Sequence, residues 1–428
     1  KATPKGTTMA TTNSLVVPKE HSDSRIIIME YENFKEKTEH HIKLSFNKKF
    51  YVKTDISNFY PSIYSHSIPW ALVGVDKAKE NRDQNEWFNQ IDKYQRLTNR
   101  DETNGIPIGP ASSNIICELI LAKIDKLLKK DFIFIRFIDD YTAYFNKYED
   151  AEKFIRRLSE ELSRYKLLLN IKKTFIEQLP SPRSPEWLVD IATRMPDKDN
   201  INSPNIIQFL DYALNKQVIS PDGSLLKYAA KSIIRDVRGE TAETLLQYLI
   251  NLCIKYPILL PLLKILFDKI INSEFIYADK IWEILNEHAI NKRSDAMTWS
   301  LYYLNKFSQS IPKEIAEEVI KSKDCISILF LYLSKQYDNK IIAFSDKQII
   351  GKSDLFLLDQ YWLLLYQLFF DEKIPNPYQD KKAYTNHLKG RNDTLENAMR
   401  REIQVFNTLK SNEVSFIESN ANNSYLPF

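Results

Sequence analysis

Two adjacent aspartates, Asp139 and Asp140, stand between two apolar runs, Phe132 to Ile138 and Tyr141 to Phe145. The stretch FIFIRFIDDYTAYF is rich in β-branched and aromatic residues on both sides, which predicts strand, tight turn, strand. Neighbouring carboxylates at a half-buried hairpin tip repel each other and resist losing water. A cation between them relieves both penalties. Paired divalent ions are the machinery of phosphoryl and nucleotidyl transfer, so this is the chemistry the pair points to.

Other segments supply the residues such a site needs. Phe50 to Asp55 (FYVKTD) reads as a strand ending in a third aspartate, followed by ISNFYPSI. Gly105 to Ser113 (GIPIGPASS) holds two of the eight glycines and leads into a helix over Ser113 to Lys130; backbone without a Cβ can approach a base or sugar closely. Leu167 to Thr174 (LLLNIKKT) places Lys172 and Lys173 after a strand-like run, where a cation can meet a phosphate. Glu149 to Tyr165 is an amphipathic helix, with Ala151, Phe154, Ile155, Leu158 and Leu162 at helical spacing. Residues 76–104 are charged and poor in aliphatics, a solvated helical insertion.

In this order and spacing the four segments resemble the palm of reverse transcriptases. DISNFYPSIY resembles motif A, GIPIGPASS motif B, RFIDDYTAYF motif C and LNIKKT motif D. The upstream VVPKEHSDSRIII resembles the fingers segment that contacts the incoming triphosphate, with Lys19 and Arg25 as its cations. The resemblance implies a catalytic set of Asp55, Asp139 and Asp140 holding two Mg²⁺ (or Mn²⁺) ions, with the backbone carbonyl of Ile56 in the shell. It further implies a dNTP site formed by Lys19, Arg25, Phe59, Tyr60, Gly109 and Lys173. Tyr60 takes the place of the steric gate against a ribose 2′-hydroxyl, Phe59 packs beneath, and Lys173 or Lys172 meets the leaving group.

The motifs also depart from the family. Phe137 replaces the usual tyrosine of motif C, Ile138 stands where a small residue is common, and Gly109 stands where many bacterial relatives have serine. No Phe-Leu-Gly primer grip and no thumb pattern follow motif D. After Pro180, Pro182 and Pro185 come helix-length apolar stripes: 206–214, 225–237, 245–256, 259–271, 281–290, 297–307, 326–333 and 355–370. Ser203-Pro204 reads as a helix cap. Short connections between stripes predict a stacked antiparallel array.

The predicted fold class is therefore α+β: reverse-transcriptase-like fingers and palm over 1–180, then an all-α, HEAT-like helical array over 181–428. A palm with a GIPIG motif joined to a long helical region resembles the abortive-infection (Abi) reverse transcriptases of bacterial anti-phage defence. That likeness implies template-independent DNA synthesis primed by a protein tyrosine, a single-stranded DNA product attached to it, and homo-oligomers. A templated reverse transcriptase of retron or group II kind is an alternative, as is a non-catalytic interaction protein with a degenerate palm.

The bulk numbers bound these readings. Lys and Arg total 59 against 56 Asp and Glu; residues 1–180 carry 29 basic and 25 acidic groups and the remainder 30 and 31, so no strong basic field marks a nucleic-acid partner. Cys117, Cys253 and Cys325 are isolated, which excludes a disulfide framework or CxxC zinc site and fits a reducing bacterial cytoplasm. The most apolar segment, 256–271, is interrupted by Lys264 and Asp268 and falls short of a bilayer span, so no membrane partner is expected. Residues 1–14 and 412–428 read as polar tails.

Overall fold

The computed structural model describes residues 16–20, 27–31, 34–182, 185–219, 221, 223–270, 276–385 and 395–413. Arg25 and both predicted tails, apart from residues 412 and 413 in the turn after the helix Leu395–Ser411, lie outside them. The chain forms two compact units, Lys1–Arg183 and Ser184–Phe428.

The first unit is built on a four-stranded antiparallel sheet of order β4-β5-β3-β6: β3 Phe50–Asp55, β4 Phe134–Phe137, β5 Asp140–Phe145 and β6 Phe175–Gln178. A separate hairpin pairs β1 Val16–Glu20 with β2 Ile27–Tyr31, which puts Lys19 opposite Ile28. In the main sheet β3 pairs with β5 so that Asp55 faces Asp140, and β4 pairs with β5 so that Phe137 faces Asp140. Period-two alternation sends Tyr141, Ala143 and Phe145 to one face, where they join a core with Ile120, Leu121 and Ile124 of the helix Ala111–Leu128 and Phe154, Leu158 and Leu162 of the helix Tyr148–Arg164. Asp140 is on the opposite face, and Asp55, its direct cross-strand partner, shares it.

Two expectations change here. The segment 76–104 contains helices Val75–Glu80 and Trp87–Leu97, but it is not merely solvated. Phe88 is 1% exposed and Asp92 and Gln95 are buried. The reading rested on the scarcity of aliphatics, but one aromatic anchor and two polar groups are buried in their stead. The run 167–170 forms no strand; it contributes an isolated bridge, Leu169 to Ile56, before a single 3₁₀ turn at Ile171–Lys173.

In the second unit the described residues form no strand. The central helices pack in consecutive pairs, Gly239–Cys253 on Leu260–Ile270, Ala278–Ile290 on Ser294–Lys306 and Lys313–Ser322 on Cys325–Leu333, and the first four also pack on the helix two places further along. Gly239–Cys253, Ala278–Ile290 and Lys313–Ser322 make one row; Leu260–Ile270, Ser294–Lys306 and Cys325–Leu333 make the other. That alternation is the pattern of stacked helix pairs sharing one continuous core. Lys313–Ser322 and Asp338–Gln348 escaped the stripe reading because each buries only a narrow face, Ala316 and Val319 in one, Ile341 and Ser345 in the other. The stripe 355–370 divides at Tyr361 into Leu355–Gln360 and Trp362–Phe370. The predicted cap moves by one residue: Asn202, not Ser203, is the N-cap, its side chain accepting from the Asn205 amide, with Pro204 in the first turn. Among the described residues no helix is long and apolar enough to cross a membrane. The three cysteines are free thiols, Cys117 and Cys253 buried and Cys325 partly so.

Candidate active site

Backbone pairing gathers the acidic residues. The Ile56 amide, just after Asp55, donates to the Asp139 carbonyl at 3.3 Å, and the Asn170 amide donates to the Asp55 carbonyl at 2.8 Å. Three chain segments distant in sequence therefore meet at the open end of β3 and β5. Asp139 sits in the two-residue turn between β4 and β5, preceded by Ile138 at φ 55°. A β-branched residue in the left-handed region is strained, and such strain gathers at functional turns.

The electrostatics follow from this crowding. Asp55 is 6% exposed, whereas Asp139 and Asp140 are half-buried. Burial pushes the Asp139 carboxyl up to about 6; its own backbone amide opposes this, while the charges of Asp55 and Asp140 add to it. The Asp139 carboxyl lies within hydrogen-bonding reach of that of Asp55, a contact that also favours its protonated form. Two carboxylates thus meet at a place that penalises their joint ionisation.

The Lys173 ammonium lies 2.8 Å from Oδ2 of Asp55. Hydrogen bonding and attraction to Asp55 raise its pKa, although the side chain is 67% exposed. Motif D thus brings its cation to the carboxylate of motif A. Lys172 is exposed beside it. Asn170, not anticipated as a site residue, donates from Nδ2 to Oδ2 of Asp55 at 3.3 Å. The buried Thr54 hydroxyl meets that of Thr174 at 2.7 Å, and Thr174 donates to the Asn170 carbonyl at 2.8 Å, fastening the 170–174 turn to β3.

The segment 56–63 and the glycine loop form one assembly. The Ile106 amide donates to the Tyr60 carbonyl at 3.0 Å, and the Gly105 amide to the Ile63 carbonyl at 2.8 Å. Gly105 has φ +84°, and a Cβ there would come to 3.2 Å from the Pro61 carbonyl oxygen, so this approach favours glycine. Gly109 has φ +117° with open space around it. Phe59 is buried beneath the half-buried Tyr60, their rings edge to face at 5.4 Å. The Tyr60 hydroxyl donates to Oδ1 of Asn114 at 2.5 Å, which fixes the ring's direction.

Sequence reading missed Asn170, Asn114 and a buried arginine, Arg136, whose guanidinium reaches the turn before Asp139. Arg136 carried a readable signal: a charge between Ile135 and Phe137 on a strand otherwise apolar. Lys19 is placed only by its strand, and Arg25 lies outside the described residues.

Among the described residues no set of three Asp, Glu, His or Cys side chains is gathered tightly enough to form a complete metal centre. The donor chemistry nonetheless fits a hard cation in part. Asp55 and Asp139 offer carboxylate oxygens close to one another, and Asp140 is on the face that Asp55 occupies.

Residues 9–210, just under half of the chain, match the family described as reverse transcriptase (RNA-dependent DNA polymerase). The chain carries a reverse-transcriptase domain. The family match runs past the end of the first unit into the helix Ser203–Asn215. Among solved structures, telomerase from Candida albicans in complex with a TWJ fragment of telomeric RNA aligns at 12% identity with a TM-score of 0.27, over 68% of this chain and 52% of that one. The chain therefore spans about half the length of that telomerase chain. No curated protein matches.

Proposed function

We propose that this protein is a Mg²⁺-dependent DNA polymerase that extends DNA from dNTPs at the Asp55–Asp139–Asp140 site. The observation that carries the reading is that strand pairing sets Asp55 opposite Asp140 while the Ile56 amide bonds the Asp139 carbonyl, which gathers three acidic residues at one end of the sheet. Asp55 and Asp139 would hold the ions, with Asp140 and the Ile56 carbonyl completing the shell. When bound, divalent ions activate the attacking hydroxyl and neutralise the leaving pyrophosphate. Lys173, drawn to Asp55, would be within reach to meet the charge of the leaving group once a metal held that carboxylate. Tyr60, braced by Asn114, stands as the wall against a ribose 2′-hydroxyl. Lys19, Arg25 and Gly109 complete the dNTP site.

The finer reading is template-independent synthesis primed by a tyrosine of the protein, in a homo-oligomer acting in bacterial anti-phage defence. Its support is the union of a GIPIG-type palm with a helical array. Beyond β6 the described residues supply helices and connections and no further strand from which a primer grip could be built. The stacked helix pairs support a HEAT-like description of that array.

The test is to incubate purified protein with Mg²⁺ and single labelled dNTPs, with and without RNA or DNA template, then digest with nuclease. Label retained on the protein without template is the expected result. Template-dependent incorporation would favour the retron-like alternative. No incorporation, unchanged in Asp139→Ala, would overturn the polymerase reading.

A further inference from the structure

Arg136 is 1% exposed, yet it bonds across three elements. Its Nη1 and Nη2 donate to Oε1 and Oε2 of Glu118, both at 2.9 Å, and its Nε donates to Oδ2 of Asp125 at 2.9 Å. Glu118 and Asp125 are seven residues apart on the helix Ala111–Leu128, hence on one face. Oδ1 of Asp125 accepts from the Tyr141 hydroxyl at 2.9 Å, and Tyr141 is the cross-strand partner of Arg136. The ring of bonds closes from helix to β4 to β5 and back.

One bond leaves this ring. Nη1 of Arg136 also donates to the Ile138 carbonyl at 2.8 Å. That carbonyl belongs to the peptide joining Ile138 to Asp139. The next peptide, joining Asp139 to Asp140, is held through its carbonyl by the Ile56 amide. Asp139 is thus clamped on both sides, once from the helix through Arg136 and once from β3 beside Asp55.

A buried cluster of one guanidinium and two carboxylates is a poor way to gain stability, since apolar side chains of similar volume do as well or better. It is a good way to fix a direction. The fork of Arg136 sets the guanidinium plane, and the plane sets the Ile138 carbonyl in a turn whose left-handed residue is strained.

We propose that Arg136 is a positioning residue: by holding the peptide before Asp139, it keeps the Asp139 carboxyl against that of Asp55 without touching substrate. This rests on the polymerase reading only for what the site does; the geometry it governs is independently measurable.

The experiment compares wild type, Arg136→Lys and Glu118→Gln by Mn²⁺ calorimetry, steady-state dNTP incorporation and thermal unfolding. Lysine keeps the charge but cannot bind the fork and the carbonyl together. Arg136→Lys is expected to weaken Mn²⁺ binding at least fivefold and to lower kcat at least tenfold, with KM for dNTP within twofold. Glu118→Gln removes one arm and should shift both in the same direction, by about twofold to fivefold. If Arg136→Lys folds and binds Mn²⁺ like wild type, the proposal fails. It also fails if Arg136→Lys does not fold while folded Glu118→Gln matches wild type in both readouts. Wild type that binds Mn²⁺ but incorporates no nucleotide would overturn the polymerase reading alone, and the Mn²⁺ comparison would still decide the role of Arg136. Wild type that neither binds Mn²⁺ nor incorporates nucleotide would overturn both.

Discussion

The two units bury polar groups in opposite ways. Every buried Asp, Glu or Arg among the described residues lies in the first unit: Asp55, Asp92, Asp125, Arg136 and Glu161. Among its described residues the second unit buries only neutral polar groups, namely Gln217, Ser300, Ser327, Ser345, Gln367, Asn376 and His288, whose pKa is held below its ordinary value by burial. Charges are costly to bury, so a fold selected for stability avoids them. The helical unit does so. The sheet unit keeps three of its five, Asp55, Asp125 and Arg136, about the turn that carries Asp139, while Asp92 pairs with His66 and Arg96 and Glu161 with Arg157 and Arg164. The first three separate a unit that holds geometry at a cost from one built to be stable.

The largest expected effect tests the first half of that contrast. Asp139→Ala should lower dNTP incorporation by on the order of 10³-fold or more, because it removes one of the proposed metal ligands. The melting temperature should hold or rise, because the substitution removes a half-buried carboxyl crowded by Asp55 and Asp140. A marked fall in melting temperature would make Asp139 a structural residue and erase the distinction.

Next in size is a test of the second half. Leu263 is fully buried in the helical core. Leu263→Ala should cost about 2–5 kcal/mol in urea unfolding, as in a close-packed interior. A cost below about 1 kcal/mol would mean that the array is loosely packed and that its neutral interior is no mark of stability.

What could be read in advance follows the same division. The aspartates were legible because adjacent acidic residues inside an apolar strand pattern violate local rules, and such violations cluster at functional sites. The helical stripes were legible because a purely apolar core repeats at helical spacing; Lys313–Ser322 escaped because two small buried residues make no stripe. Asn114, Asn170 and the Glu118–Asp125–Arg136 cluster were illegible as a set. Their partners lie 11 to 115 positions away, and no spacing rule reports a bond made through the fold. The Ile138 backbone was half legible: isoleucine looked out of place in the turn, but its φ is a property of the closed hairpin.

A smaller effect is expected at Tyr60. Its ring direction is fixed by Asn114, and its removal opens space beside the glycine loop. Tyr60→Ala should raise ribonucleotide relative to deoxyribonucleotide incorporation by roughly 10-fold, the scale of a steric contact in a pocket. Asn114→Ala should move the ratio the same way but less. Equal discrimination in wild type and both variants would leave Tyr60 as a core aromatic.

The smallest stability effect is expected at Ile138, where two opposing terms can be weighed. Left-handed backbone costs a β-branched residue about 1–2 kcal/mol, and glycine removes that cost. Glycine also forfeits about 0.5–1 kcal/mol of chain entropy, together with the partial burial of Ile138 against the first unit's core. Ile138→Gly should therefore change unfolding free energy by less than about 1 kcal/mol in either direction. Turnover responds differently, because glycine frees the peptide that Arg136 holds and lets the Asp139 carboxyl leave that of Asp55. A several-fold fall in kcat at nearly constant stability is the expected signature. A loss of more than about 2 kcal/mol would make Ile138 a packing residue, as in the helical unit. Unchanged turnover would mean that the strained turn does not set the aspartate's position, and that the sheet unit's buried charges serve something other than placement.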